Sequence, residues 1–169
     1  MTVLLLVAVV VLVSVAYSNN WLAPGPSTTT EPSAVGAIPV TATEARVEYV
    51  HDGDTLFLED GRKVRLLGLN TPEIGTNLEC YGPEATEALR ELLPRGTHVW
   101  VQQDVEPLDQ YGRSLLFIYT DAGVNVNLAL LAEGAATVEM YRPNVLLRDE
   151  IYAAQAAARD AGLGLWGAC

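Results

Sequence analysis

At 169 residues, half of them hydrophobic, the chain has room for one compact domain with a core of ordinary size. The formal net charge is -11, and the ten basic residues are nine arginines and one lysine, Lys63, which excludes a diffuse basic footprint for polyanions. The acidity reads as a solvated surface suited to solubility or high salt, and salt or a bound cation relieves its long-range repulsion of a polyphosphate.

The first element is apolar. Residues 3–16 are Val, Leu and Ala broken only by Ser14, and the chain turns polar at Ser18-Asn19-Asn20. The block is short for a membrane span and right for an export signal, with Ala16-Tyr17-Ser18 as a small-x-small cleavage site. Only Met1 and Thr2 precede it, without the usual positive residues, so an uncleaved signal-anchor stands beside a cleaved signal over residues 1–20. Residues 21–40 are rich in Pro, Thr, Ser and Gly and read as an extended, flexible linker. The working domain is expected over residues 41–169.

Within that domain apolar and polar residues alternate from Ala45 to Val50, and Thr55–Leu58 and Lys63–Leu67 read as two further strands. Asp60-Gly61 between them signals a hairpin turn. Pro72 disfavours helix at Thr71, so the stretch from Asn70 to Glu73 is a stiff, extended loop. Pro83 opens a helix that Pro94 closes, with Ala85, Ala88, Leu89, Leu92 and Leu93 at helical spacing and Glu84 and Glu87 near its start. Strands follow at His98–Gln102 and Ser114–Tyr119. Asn127 is expected to cap a short helix through Leu128, Leu130 and Leu131 that Gly134 ends, and an alanine-rich helix runs over about residues 146–161. Several short strands with helices between and after them predict an α+β small barrel with packed helices.

The two cysteines, Cys80 and Cys169, are even in number, and in an exported chain they predict one disulfide; two free thiols are the alternative in a reducing compartment. Two cysteines alone do not make a zinc site, and His51 and His98 lack ligand spacing.

Three segments collect the residues that carry chemistry: Asp52-Gly53-Asp54-Thr55, the run from Arg65 to Glu73, and Tyr111-Gly112-Arg113. An arginine offers a fork of hydrogen bonds to a phosphate, a carboxylate orients or deprotonates a water, and clustered oxygens hold a hard cation. Singly, each has a plainer reading. The Asp-Gly pair shapes a turn, Arg65 pairs with a surface acid, Glu73 starts a helix, and Arg113 is a solvated loop charge. Glu84 belongs to a helix first turn, and both histidines read as structural or exposed.

The joint order reverses those readings. Asp52-Gly53-Asp54-Thr55, Arg65 through Glu73, Tyr81-Gly82-Pro83-Glu84-Ala85, Asp109-Gln110-Tyr111-Gly112-Arg113, Val126-Asn127 and Tyr141-Arg142-Pro143-Asn144 resemble the thermonuclease family, typified by staphylococcal nuclease, over about residues 42–166. The resemblance implies a five-stranded OB-fold barrel with three helices and calcium-dependent hydrolysis of DNA and RNA, leaving 3′-phosphates. It places the catalytic set on Arg65, Glu73 and Arg113, the calcium ligands on Asp54, Asn70 and the Thr71 carbonyl, and substrate contacts on Tyr111 and Tyr141. Asn70 stands where the family carries a second aspartate, which keeps an oxygen at the same reach and loses a charge. Gln110 and Glu139 stand where the type member has a basic and an aromatic residue, which predicts a thinner grip on substrate. A secreted or outward-facing monomer, with membrane attachment through the N-terminal helix as the variant, completes the expectation. The reading from a different class is a catalytically weak or silent OB-fold module that binds nucleic acid or protein.

Overall fold

The computed structural model describes residues 36–169. The expected export segment, residues 1–20, and most of the linker lie outside the described residues. Gly36 N–H donates to Gly123 O at 2.9 Å and Ile38 packs against the core, so the chain is already docked before its first strand. Among the described residues no helix is long and apolar enough to cross a membrane.

Five strands close into a barrel in the order β1 (Thr43–Val50), β2 (Thr55–Leu58), β3 (Lys63–Leu66), β6 (Ser114–Thr120), β5 (His98–Gln102). The other four pairs are antiparallel, while β3 and β6 run parallel with Val64 opposite Ser114 and Leu66 opposite Leu116. A separate two-stranded ribbon joins β4 (Leu69–Asn70) to β7 (Thr137–Val138). The expected five-stranded barrel with packed helices is therefore present. Period-two alternation explains its interior: Leu56 and Leu58 on β2 and Val64 and Leu66 on β3 are fully buried. Each such side chain contributes roughly 1.5–3 kcal/mol on leaving water.

Three helices cover the barrel. In α1 (Gly82–Leu92) Pro83 fits the first turn, where its missing N–H costs nothing, and Ala85 and Leu89 face the core. The helix α2 (Val126–Ala132) is capped by Asn125, whose side chain accepts from Leu128 N–H at 3.0 Å. The cap thus lies two residues before the Asn127 that the sequence points to. Asn127 is fully buried inside the helix instead: its Oδ1 accepts from Ile118 N–H at 3.0 Å and its Nδ2 donates to Leu67 O at 2.9 Å and Leu116 O at 3.2 Å. Its amide does more by tying α2 to the barrel at the parallel β3–β6 seam than it could by capping one helix. The third helix, α3 (Arg148–Asp160), buries Ile151, Ala154 and Ala158, and a last short turn, α4 (Leu165–Ala168), carries the C-terminus back.

Cys80 and Cys169 are joined by a disulfide with Cα atoms 6.1 Å apart. It fixes the chain end to the residue just before α1, close to the loop that follows β4.

Candidate active site

Two demands of backbone geometry build the site, and both fall on glycines. Gly53 is buried, and a Cβ there would collide with the Thr71 side chain, so the turn between β1 and β2 packs directly against the loop after β4. Gly112 has φ +79°, the left-handed turn that Gly adopts without strain, and it presents Arg113 just before β6.

Asp54 lies where these segments meet and is 7% exposed. Its Oδ1 accepts from the Thr55 hydroxyl at 3.0 Å, and its Oδ2 from Thr71 N–H at 3.1 Å and the Thr71 hydroxyl at 3.2 Å. Burial pushes its carboxyl above the usual range, opposed by the Arg65 guanidinium and reinforced by the neighbouring Asp52. Arg65, 3% exposed, is the cation that balances it, with Nη1 at 3.1 Å from Asp54 Oδ2.

The other nitrogen of that guanidinium is crowded. Arg65 Nη2 donates to Asn70 Oδ1 at 2.8 Å, to Glu139 Oε2 at 3.1 Å and to the Tyr141 hydroxyl at 3.3 Å. Tyr141 in turn donates to Glu139 Oε2 at 2.6 Å. Burial first, and then that hydrogen bond, push the Tyr141 phenol upward, so it remains a donor at ordinary pH. Asp54, Arg65, Asn70, Thr71 and Tyr141 therefore converge.

Arg113 and Tyr111 sit on the adjoining turn. Asp109 orients Arg113 by accepting from its backbone N–H at 2.9 Å and from its Nε, and also accepts from Tyr111 N–H at 2.9 Å. Arg113 lies over the Tyr111 ring at 5.6 Å, as Arg65 lies over the Tyr141 ring at 5.7 Å. Tyr111, Arg113, Tyr141 and Arg142 line one groove of about 400 Å³. A larger, more apolar recess of about 560 Å³, lined by Ile74, Leu78 and Pro83, lies against α1 and holds none of these arginines.

Glu73 stands apart. It is exposed, and no ion pair joins its carboxylate to Arg65 or Arg113 among the described residues. Its loop is nonetheless held: Glu73 N–H donates to Glu79 Oε2 and Glu79 N–H returns to Glu73 O, both at 3.0 Å. A Cβ on Gly82 would collide with Glu73 O, so glycine lets the loop lie against the start of α1.

The family model for the staphylococcal nuclease homologue matches residues 63–168. The chain belongs to the staphylococcal nuclease family. It is 37% identical over 127 residues to the thermonuclease of Staphylococcus intermedius, covering 71% of this chain and 74% of that one. It is 34% identical over 122 residues to endonuclease YncB of Bacillus subtilis, covering 68% of this chain and 57% of the relative. An uncharacterized endonuclease of Escherichia coli O157:H7 is 34% identical over 125 residues, 72% of this chain and 75% of the relative. Against endonuclease YhcR of Bacillus subtilis the chain spans 11% of the relative's length.

Staphylococcal nuclease homologues are generally metal-dependent, and the oxygens here suit a hard cation. Among the described residues no three His, Cys, Asp or Glu side chains gather into a metal cluster. The available donors are the Asp54 carboxylate, the Asn70 amide oxygen and the Thr71 carbonyl, which already receives Asn70 Nδ2 at 3.3 Å. Two of them, Asp54 and Asn70, already face a positive charge, the Arg65 guanidinium, which is the electrostatic role that a divalent ion would share. An all-oxygen set of this kind fits calcium or magnesium and disfavours a soft metal.

Sequence reasoning missed the place of Glu139. Its position was legible as a departure from the type member, but its contact with Arg65 spans 74 residues of chain. The signal that finds it is the β4–β7 ribbon, in which Asn70 lies opposite Thr137, two residues before Glu139.

Proposed function

We propose that this chain is an exported, calcium-dependent nuclease that hydrolyses phosphodiester bonds of DNA and RNA with little sequence specificity and leaves 3′-phosphates. The observation that carries the reading is the convergence of Arg65 with Asp54, Asn70 and Thr71, beside the groove that Arg113 lines. Family membership and relatives named thermonuclease and endonuclease support the reaction class.

Asp54, Asn70 and the Thr71 carbonyl would hold the ion, which when bound supplies charge neutralisation and Lewis-acid polarisation at the phosphate. The residues of the chain do the rest. Arg65 and Arg113 grip the phosphoryl oxygens from two sides and stabilise the charge that builds there in the transition state. Glu73, on its pinned loop, orients the attacking water and takes its proton. The water oxygen bonds to phosphorus as the bond to the 5′ oxygen breaks, and solvent supplies the proton that the departing 5′ oxygen needs. Tyr111 and Tyr141 flank the phosphate as base-tolerant contacts.

Residues 1–20 serve as a signal peptide or signal-anchor and residues 21–40 as a tether, so that a monomeric domain works outside the cytoplasm, where calcium is abundant enough to fill a site weakened by Asn70. The test is cleavage of single-stranded DNA by purified domain with added calcium, and its loss with chelator. Full activity of Glu73→Gln or Arg113→Ala would overturn the site assignment. Binding without cleavage at any calcium concentration would favour the alternative, a silent OB-fold binding module, for which the crowding of Arg65 by Glu139 is the favouring observation.

A further inference from the structure

The barrel carries a second aromatic feature outside the groove. β1 and β2 are antiparallel with Val47 opposite Leu58, Tyr49 opposite Phe57 and Val50 opposite Leu56, so two steps on β1 match one on β2 between the first two pairs. Strict alternation from Val47, which is fully buried, would turn Tyr49 into the core. The bulge at Glu48 resets the alternation and aims Tyr49 outward, and bulges that re-aim a side chain gather beside active sites.

What Tyr49 meets there is specific. Its ring stacks on Phe57 with centroids 4.6 Å apart and planes 14° from parallel. Tyr49 remains 42% exposed, so the open edge and part of the face of this pair look into solvent. His51 approaches Phe57 edge-on at 6.4 Å. Lys63, the one lysine of a chain carrying net charge -11, places Nζ 5.7 Å from the Phe57 centroid and makes no salt bridge among the described residues.

The patch lies one step along the strands from Arg65, which is itself 3% exposed. On β2 and β3 the pair Thr55–Arg65 is followed by the pair Phe57–Lys63 on the same outward side, since Leu56, Val64 and Leu66 point inward. One two-residue step separates them, about 7 Å along the strand. Of the acids close in sequence, Asp60 at the hairpin tip is paired with Arg62 at 2.7 Å, Asp52 accepts from Asp54 N–H at 3.1 Å, Glu48 is the half-buried bulge residue and Glu59 lies beyond Leu58.

Resting on the nuclease reading, we propose that Tyr49 and Phe57, with Lys63 and His51 at their margin, form a stacking subsite for a base flanking the phosphodiester held by Arg65. The ligand class is single-stranded nucleic acid, because in a duplex the faces of each base are covered by its stacked neighbours. Stacking on an aromatic surface is tolerant of base identity, and the cation answers the phosphate that accompanies the base. The subsite extends the substrate track along the barrel, away from the Tyr111–Tyr141 groove.

The test uses a fluorescently labelled oligothymidylate of about eight nucleotides with the intact domain in chelator, where cleavage is suspended, and reads anisotropy. Tyr49→Ala and Tyr49→Leu are expected to weaken binding about tenfold, while Tyr49→Phe retains wild-type affinity because it keeps the ring. With calcium, the KM for a phosphodiester that carries no base, methyl p-nitrophenyl phosphate, is expected to be the same in wild type and Tyr49→Leu, whereas the KM for the oligonucleotide rises. Binding by Tyr49→Leu within twofold of wild type, equal losses in Tyr49→Phe and Tyr49→Leu, or no binding by wild type would each overturn the subsite. An active nuclease indifferent to Tyr49 refutes the platform alone. A wild-type domain that binds through Tyr49 and never cleaves refutes the nuclease reading and leaves the platform standing.

Discussion

On the proposed reading of the site, Glu139 holds the place on Arg65 that an incoming phosphoryl oxygen needs. Its Oε2 lies 3.1 Å from Arg65 Nη2, and its side chain is 46% exposed. At an effective dielectric of about 20, two unit charges at that distance attract by about 5 kcal/mol. Half-exposure and competing water bring the net value nearer to that of a charge-assisted surface contact, about 1–2 kcal/mol. The substrate must displace this carboxylate before Arg65 can grip it, so the same amount is subtracted from substrate binding. Glu139→Gln keeps an oxygen for Nη2 and for the Tyr141 hydroxyl and removes the charge. Steady-state kinetics on single-stranded DNA at fixed calcium are expected to show KM lowered roughly 5- to 30-fold, which is that energy expressed as a ratio. The turnover number should change little, because the carboxylate is displaced in the bound ground state and in the transition state alike. An unchanged or raised KM would refute the reasoning, and a fall in kcat equal to the fall in kcat/KM would instead make Glu139 part of the transition-state machinery.

Three other outcomes follow from the same geometry. Asn127→Ala leaves Ile118 N–H and Leu67 O without their side-chain partner in the core, so urea denaturation followed by tryptophan fluorescence should show a loss of about 2–5 kcal/mol; a loss under 1 kcal/mol would contradict the hydrogen-bond assignment. Asn70→Asp restores a carboxylate beside Asp54, and calorimetric titration should show calcium bound tenfold tighter or more, about 1.4 kcal/mol or beyond, with unchanged affinity counting against Asn70 as a ligand. Reducing the Cys80–Cys169 bond opens a loop with a sequence separation of 89 and should remove up to about 4–5 kcal/mol of stability. Because Cys80 follows Glu79, whose carboxylate and N–H pin Glu73, kcat should also fall at temperatures where circular dichroism shows the barrel intact; full kcat in the reduced, folded protein would sever that link.

Much of the barrel was legible because its signals are local. Alternation over a few residues marks β2 and β3, Asp60-Gly61 turns between them, and Pro83 and Pro94 bracket α1. Asp54, Arg65, Asn70, Thr71 and Tyr141, which the fold brings together, were legible as candidates for a different reason: with Glu73, Tyr111 and Arg113 they occur in a recognisable order, although no single one stands out. Sequence composition also set the constraint under which the site operates, a net charge of -11 with one lysine.

The tertiary structure decided what depends on partners far apart in the chain. The parallel pairing of β3 with β6 sets Arg65 opposite Leu115, two residues from Arg113, and no turn between those strands announces it. The choice of Asn125 over Asn127 as the cap of α2 rests on Leu67, Leu116 and Ile118, none of which is a neighbour in sequence. The bulge that turns Tyr49 outward appears only when β1 must match both β2 and β5 around a closed barrel. Glu139 reaches Arg65 because the β4–β7 ribbon carries it there. Residue types and their near neighbours set propensity and chemical capacity; which buried polar group meets which is settled only when closing the barrel removes water from them all at once.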